Sequence, residues 1–65
     1  MPTTTAPDRA TRVLDLAIAH ELRGEWAQAS EQFARAATLF TEARAWSEAE
    51  DALRRSGTCA RVASH

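Results

Sequence analysis

Lysine and tyrosine are absent from this 65-residue chain, glycine and proline occur twice each, and cysteine occurs once. Each shortage closes off something. A lone cysteine, Cys59, cannot form an internal disulfide, and its spacing to His20 and His65 gives no paired ligand set of the kind zinc sites use. Two glycines, Gly24 and Gly57, are too few for a phosphate-cradling loop, and no nucleophile elbow is present. No cofactor, metal ion or small-molecule substrate is therefore expected. No segment approaches the roughly 20 apolar residues of a membrane span, and residues 1–8 lack a basic stretch followed by an apolar run. The expected setting is the cytoplasm, with no membrane contact. All eight basic residues are arginine, nine residues are acidic and the formal net charge is −1. The two signs are interspersed, so no basic stripe offers itself to phosphate, and nucleic-acid binding is disfavoured.

What is present is alanine, fifteen residues of it, which suits close-packed helices rather than strands. The alanine-rich, arginine-only composition also matches a GC-rich bacterial genome. A chain this short forms one domain and buries only about 60% of its unfolded surface, leaving little room for a deep enzyme pocket. Residues 1–4 are expected to be a disordered leader and residues 5–63 a single helical domain. Thr5-Ala6-Pro7-Asp8 has the form of a helix start: Thr5 as cap, Pro7 in the first turn and Asp8 at the positive helix end. A first helix is expected over about 5–23. Its apolar residues, including Val13, Leu14, Ala17, Ile18 and Leu22, cover an arc wider than one core stripe, so it needs partners on two sides.

A second helix is expected over about 25–42. Trp26, Ala29, Phe33, Ala36, Ala37, Phe40 and Ala43 follow the 3-4 spacing of one face, and Glu25 is a poor cap at its start. No glycine or proline lies between Glu25 and Ser56, yet the apolar phase slips by one residue near position 45, where the stripe shifts to Trp46, Ala49, Ala52, Leu53 and Gly57. Ser47-Glu48-Ala49-Glu50 has the capping-box form, which puts the third helix at about 47–62 with Ser47 as its cap. The acidic cluster Glu48, Glu50 and Asp51 then opposes a helix dipole favourably instead of performing acid-base chemistry. His20 reads as a packed or edge residue and Cys59 as a small filler.

Two further patterns stand out. Trp26-x-x-Ala29-x-x-x-Phe33-x-Arg35 recurs twenty residues later as Trp46-x-x-Ala49-x-x-x-Leu53-x-Arg55. Each segment begins with a tryptophan able to cover a turn and carries a small residue one turn on, where a neighbour can approach. In addition, Val13, Leu16, Ala17 and His20, followed by Gly24, Trp26, Ala29, Phe33, Ala36 and Leu39, resemble the helical hairpin of the tetratricopeptide repeat (TPR). Gly24 matches the turn glycine, Trp26 and Phe33 the aromatic positions, Ala29 and Ala36 the small positions and Leu39 the closing large one. Leu53, Ser56 and Gly57 resemble the start of a second repeat. The segment from Ala17 to Ala29, followed by Phe33, also resembles the three-helix MIT domain, whose fold is TPR-like and which binds short helical tails.

The expected architecture is therefore an all-α, antiparallel three-helix TPR-like bundle of about one and a half repeats. The resemblance implies a non-catalytic module that binds a helix or peptide of a partner protein. Leu14, Ile18 and Leu22, which point partly away from the Val13–Ala17 stripe, are the candidate contact residues. The alternative is self-assembly, in which a second copy completes the unfinished repeat as a homodimer; a small nucleic-acid-binding regulator is the remoter reading.

Overall fold

The end of the first helix shows how the architecture is set. In the computed structural model, which describes residues 6–65 with side chains from Asp8 onward, α1 (Ala6–Leu22) stops where Gly24 takes a φ of 76°. The Gly24 N–H donates to the Glu21 carbonyl at 3.0 Å and the Glu25 N–H donates to the His20 carbonyl at 2.9 Å. These two bonds are the Schellman closure, which satisfies carbonyls that a helix end otherwise leaves open. The expected leader 1–4 and the Thr5 cap lie outside the described residues.

Twenty residues on, the same turn is built without a glycine. Arg44 takes a φ of 62°, its N–H donates to the Thr41 carbonyl at 2.9 Å, and the Ala45 N–H donates to the Phe40 carbonyl at 2.8 Å. Glu25 and Ala45, which follow the two left-handed residues, have nearly the same backbone angles (−88°, 71° and −90°, 76°). The twenty-residue echo in the sequence is thus a geometric repeat of helix plus turn. It yields α2 (Trp26–Glu42) and α3 (Trp46–Ser64), and confirms the break expected near position 45.

The cap proposed for α3 needs correction. Its N-cap is Ala45, with no side-chain cap bond, and Ser47 lies inside the helix. The Schellman closure of α2 fixes where α3 starts, and Ala45 already accepts the first intrahelical bond from the Ala49 N–H at 2.9 Å, so a cap two residues later has nothing left to do. Glu25 likewise makes no cap bond, as its identity implies; its carboxylate instead pairs with His20 Nδ1 and ties the last turn of α1 to the start of α2.

The fold is an all-α bundle of three antiparallel helices. Both outer helices pack along α2 and approach each other at few points. At one level Ala10 of α1 meets Ala36, Ala37 and Phe40 of α2 and Ala49 and Ala52 of α3; at the other Ala17 meets Ala29 and Phe33 of α2 and Cys59 of α3. The face read for α2 is the face it buries: Ala29, Phe33, Ala36, Ala37 and Phe40. For α3 the reading was too broad, because Ala49, Ala52 and Cys59 form its core side while Trp46 and Leu53 remain 63% and 59% exposed.

Small residues let these helices pack closely. Among the described residues seven of the ten buried apolar side chains are alanine, and Phe33 is the one large side chain fully enclosed. Close approach of α2 and α3 is sealed by a reciprocal pair: the Ser30 hydroxyl donates to the Ser56 carbonyl at 3.1 Å and the Ser56 hydroxyl donates to the Ser30 carbonyl at 2.9 Å. Each serine satisfies its own donor against the other helix, so a polar pair crosses the interface without an unmet bond.

Candidate functional site

Three short helices that bury alanine have large apolar side chains left over. Among the described residues Leu16, Leu22, Trp46, Leu53 and Val62 are exposed. Two of them, Trp46 and Leu53, stand seven residues apart on α3, hence on one helix face. Leu53 forms one wall of a trough of about 330 Å³ between α2 and α3, whose other lining residues are Ala34, Ala37, Thr38, Thr41 and Glu42.

The lining is more apolar than two threonines suggest. The Thr38 hydroxyl donates to the Ala34 carbonyl at 3.2 Å and the Thr41 hydroxyl to the Ala37 carbonyl at 2.8 Å. Both hydroxyl protons are spent within α2, so neither offers a free donor to an occupant. One carboxylate, Glu42, marks the end of the trough near the second turn. Such a surface gives shape and methyl contact with little polar direction, which suits a helix side more than a small polar molecule.

The twenty-residue repeat gives this trough a precedent in the same chain. Stepping back twenty positions from Ala34, Ala37, Thr38, Thr41, Glu42 and Leu53 gives Leu14, Ala17, Ile18, Glu21, Leu22 and Phe33. Of these, Leu14, Ala17, Ile18 and Phe33 lie together between α1 and α2, where Cys59 of α3 packs against them, while Leu22 stays exposed. Cys59 seats against Ala17, Ala29 and Phe33, with Leu14 and Ile18 packed around the same cluster, and the Arg55 guanidinium lies 5.4 Å from the centre of the Phe33 ring. The chain contains one trough occupied by a helix and a second, one repeat on, that no helix among the described residues covers.

This placement separates the three expected contact residues. Leu14 and Ile18 are half-buried against the core, their apolar surface taken up within the chain, whereas Leu22 is 82% exposed beside the first turn. The motif residues sit as a helical hairpin requires: Gly24 in the turn, Trp26 half-buried over the second cluster, Ala29, Phe33 and Ala36 in the core and Leu39 packed at its edge. Sequence reasoning passed over Ala34, Thr38 and Thr41, because small residues facing outward carry no apolar signal. The repeat offered a way to find them, had Leu14 and Ile18 been shifted by twenty.

Cys59 is a core residue. Burial pushes its thiol above the ordinary value, the Glu21 carboxylate adds to the rise, and Arg55 opposes it. Both the small thiolate fraction and the enclosure predict slow chemistry. Alkylation of the folded chain at neutral pH should proceed far more slowly than in urea; equal rates in the two conditions would remove Cys59 from the core. No group of three or more metal-ligating side chains is assembled among the described residues, and no described helix is long and apolar enough to cross a membrane. Comparison with protein-family models, curated proteins and solved structures finds no match to this chain.

Proposed function

We propose that this chain is a non-catalytic interaction module that receives one helix of a protein partner in the α2–α3 trough. The observation that carries the reading is the pairing of two equivalent troughs: the first is closed by α3 through Cys59 and Arg55, and the second stands open with Leu53 as its exposed wall. A surface built to the same plan as one that already holds a helix is fitted to hold another. The TPR resemblance of Gly24, Trp26, Ala29, Phe33, Ala36 and Leu39 supports this, since repeat hairpins bury their faces by stacking the next helix. A single, buried thiol and the even mixture of charges suit a cytoplasmic protein-binding role and not one on nucleic acid.

The reading is tested by selecting displayed helical peptides on the immobilised chain. Retained peptides should carry apolar residues at i, i+3 or i+4 and i+7, and Leu53→Asp should release them while circular dichroism stays that of the parent. Failure to retain any helix, or retention indifferent to Leu53→Asp, would contradict it.

A further inference from the structure

The trough leaves open which helix enters it, and α3 itself answers that. We infer that the occupant is α3 of a second copy of this chain, packed antiparallel across a two-fold axis; this rests on the trough reading above. Trp46, Glu50, Leu53, Gly57, Ala60 and Ser64 recur at spacings of three and four and lie along one stripe of α3, and every one of them is exposed. The stripe combines projections with a gap. Leu53 stands out 59% exposed, and one turn later Gly57 presents bare backbone.

Gly57 has no reason to be glycine within its own chain. A Cβ built there meets nothing within 4 Å, and its backbone is helical with no positive φ. A glycine in mid-helix weakens that helix relative to alanine, and here its bare, exposed backbone leaves room for a close approach from outside. An antiparallel copy of α3 supplies one. Setting Leu53 of one chain against Gly57 of the other seats each leucine in the other's gap, and the two-fold axis makes the contact twice.

The same register settles the rest of the stripe. Glu50 falls opposite Ala60 of the second copy and beside its Arg61, and Trp46 falls over its Ser64. Glu50 and Arg61 form no ion pair among the described residues, so each can pair across the axis. The direction also agrees with the repeat. The helix that fills the first trough, α3, runs antiparallel to α2, the later of the two helices forming that trough. A second copy's α3 in the next trough likewise runs antiparallel to the later helix, here α3. Two leucines, two tryptophans and two ion pairs make a small interface, for which a dissociation constant of about micromolar order is expected.

Sedimentation equilibrium on the full chain between about 1 μM and 1 mM reads this directly. The mass should rise from 7.1 kDa to twice that value with concentration. Leu53→Asp should hold the chain at the monomer mass with helicity intact. Gly57→Leu, which favours the helix but fills the gap, should weaken dimerisation at least about tenfold. Glu50→Arg and Arg61→Glu should each weaken it, and the double variant should restore it. A mass of 7.1 kDa at all concentrations overturns the inference, as does a dimer indifferent to Leu53→Asp and Gly57→Leu, or one that the double charge exchange does not restore. A monomer that still retains helical peptides through Leu53 overturns the second copy as occupant and leaves the trough reading standing. A monomer that retains none overturns both.

Discussion

Replacing Phe33 with alanine is expected to unfold the domain. Phe33 is fully buried where all three helices meet, against Ala17, Ala29 and Cys59, and Arg55 covers its ring. The fully buried side chains around it, Ala17, Ala29 and Cys59, are too short to fill the space it would vacate. Phenylalanine to alanine in a core costs about 3–5 kcal/mol, and a domain of this length has about 3–10 kcal/mol in all. The loss therefore takes most or all of the stability. Circular dichroism in a urea titration should show a chain already largely unfolded in buffer, whereas a cooperative transition at the parent midpoint would place Phe33 outside the core.

Gly24→Val should lower stability by about 2 kcal/mol, which for a domain this small is roughly a 10 °C fall in melting temperature. Space is not the cause, since a Cβ at Gly24 would meet only Trp26 Nε1, at 3.9 Å. The cost lies in the backbone: φ is 76°, and a β-branched residue strongly resists the left-handed region. The second turn supplies an opposite-signed control. Arg44 already bears the left-handed conformation without being glycine, so Arg44→Gly should leave stability unchanged or raise it by up to about 1 kcal/mol. A Gly24→Val variant that melts with the parent, or an Arg44→Gly variant that falls alongside it, would contradict the geometry of the two turns.

Those turns also show how far the sequence can be read. The face of α2 was legible because seven apolar residues keep one phase, and the break before α3 was legible because that phase slips. The start of α3 was misplaced at Ser47 because the stop is made by the backbone of α2 closing on Arg44, and arginine gives no sign that it will adopt a left-handed conformation. The excess apolar surface of α1 at Leu14 and Ile18 was visible, but what covers it comes from Cys59, about forty residues away, and periodicity does not report such pairings. Trp46 and Leu53 fall in the apolar stripe read for α3. They lie outside because α3 turns its alanines inward, where the Ser30–Ser56 pair draws it close to α2.

The central claim is that the trough containing Leu53 is the empty counterpart of the one containing Phe33, and the two tryptophans report on the two repeats separately. Trp26 is half-buried over the filled trough's cluster, and Trp46 is 63% exposed on the stripe beside the open one. Acrylamide quenching of the single-tryptophan variants Trp26→Phe and Trp46→Phe, measured in dilute solution and again with a helix bound, distinguishes them. The account predicts that Trp46 is quenched readily in dilute solution and becomes protected when the trough fills, while Trp26 is protected throughout. Equal quenching of the two in the dilute chain, or binding that leaves Trp46 as accessible as before, would contradict it.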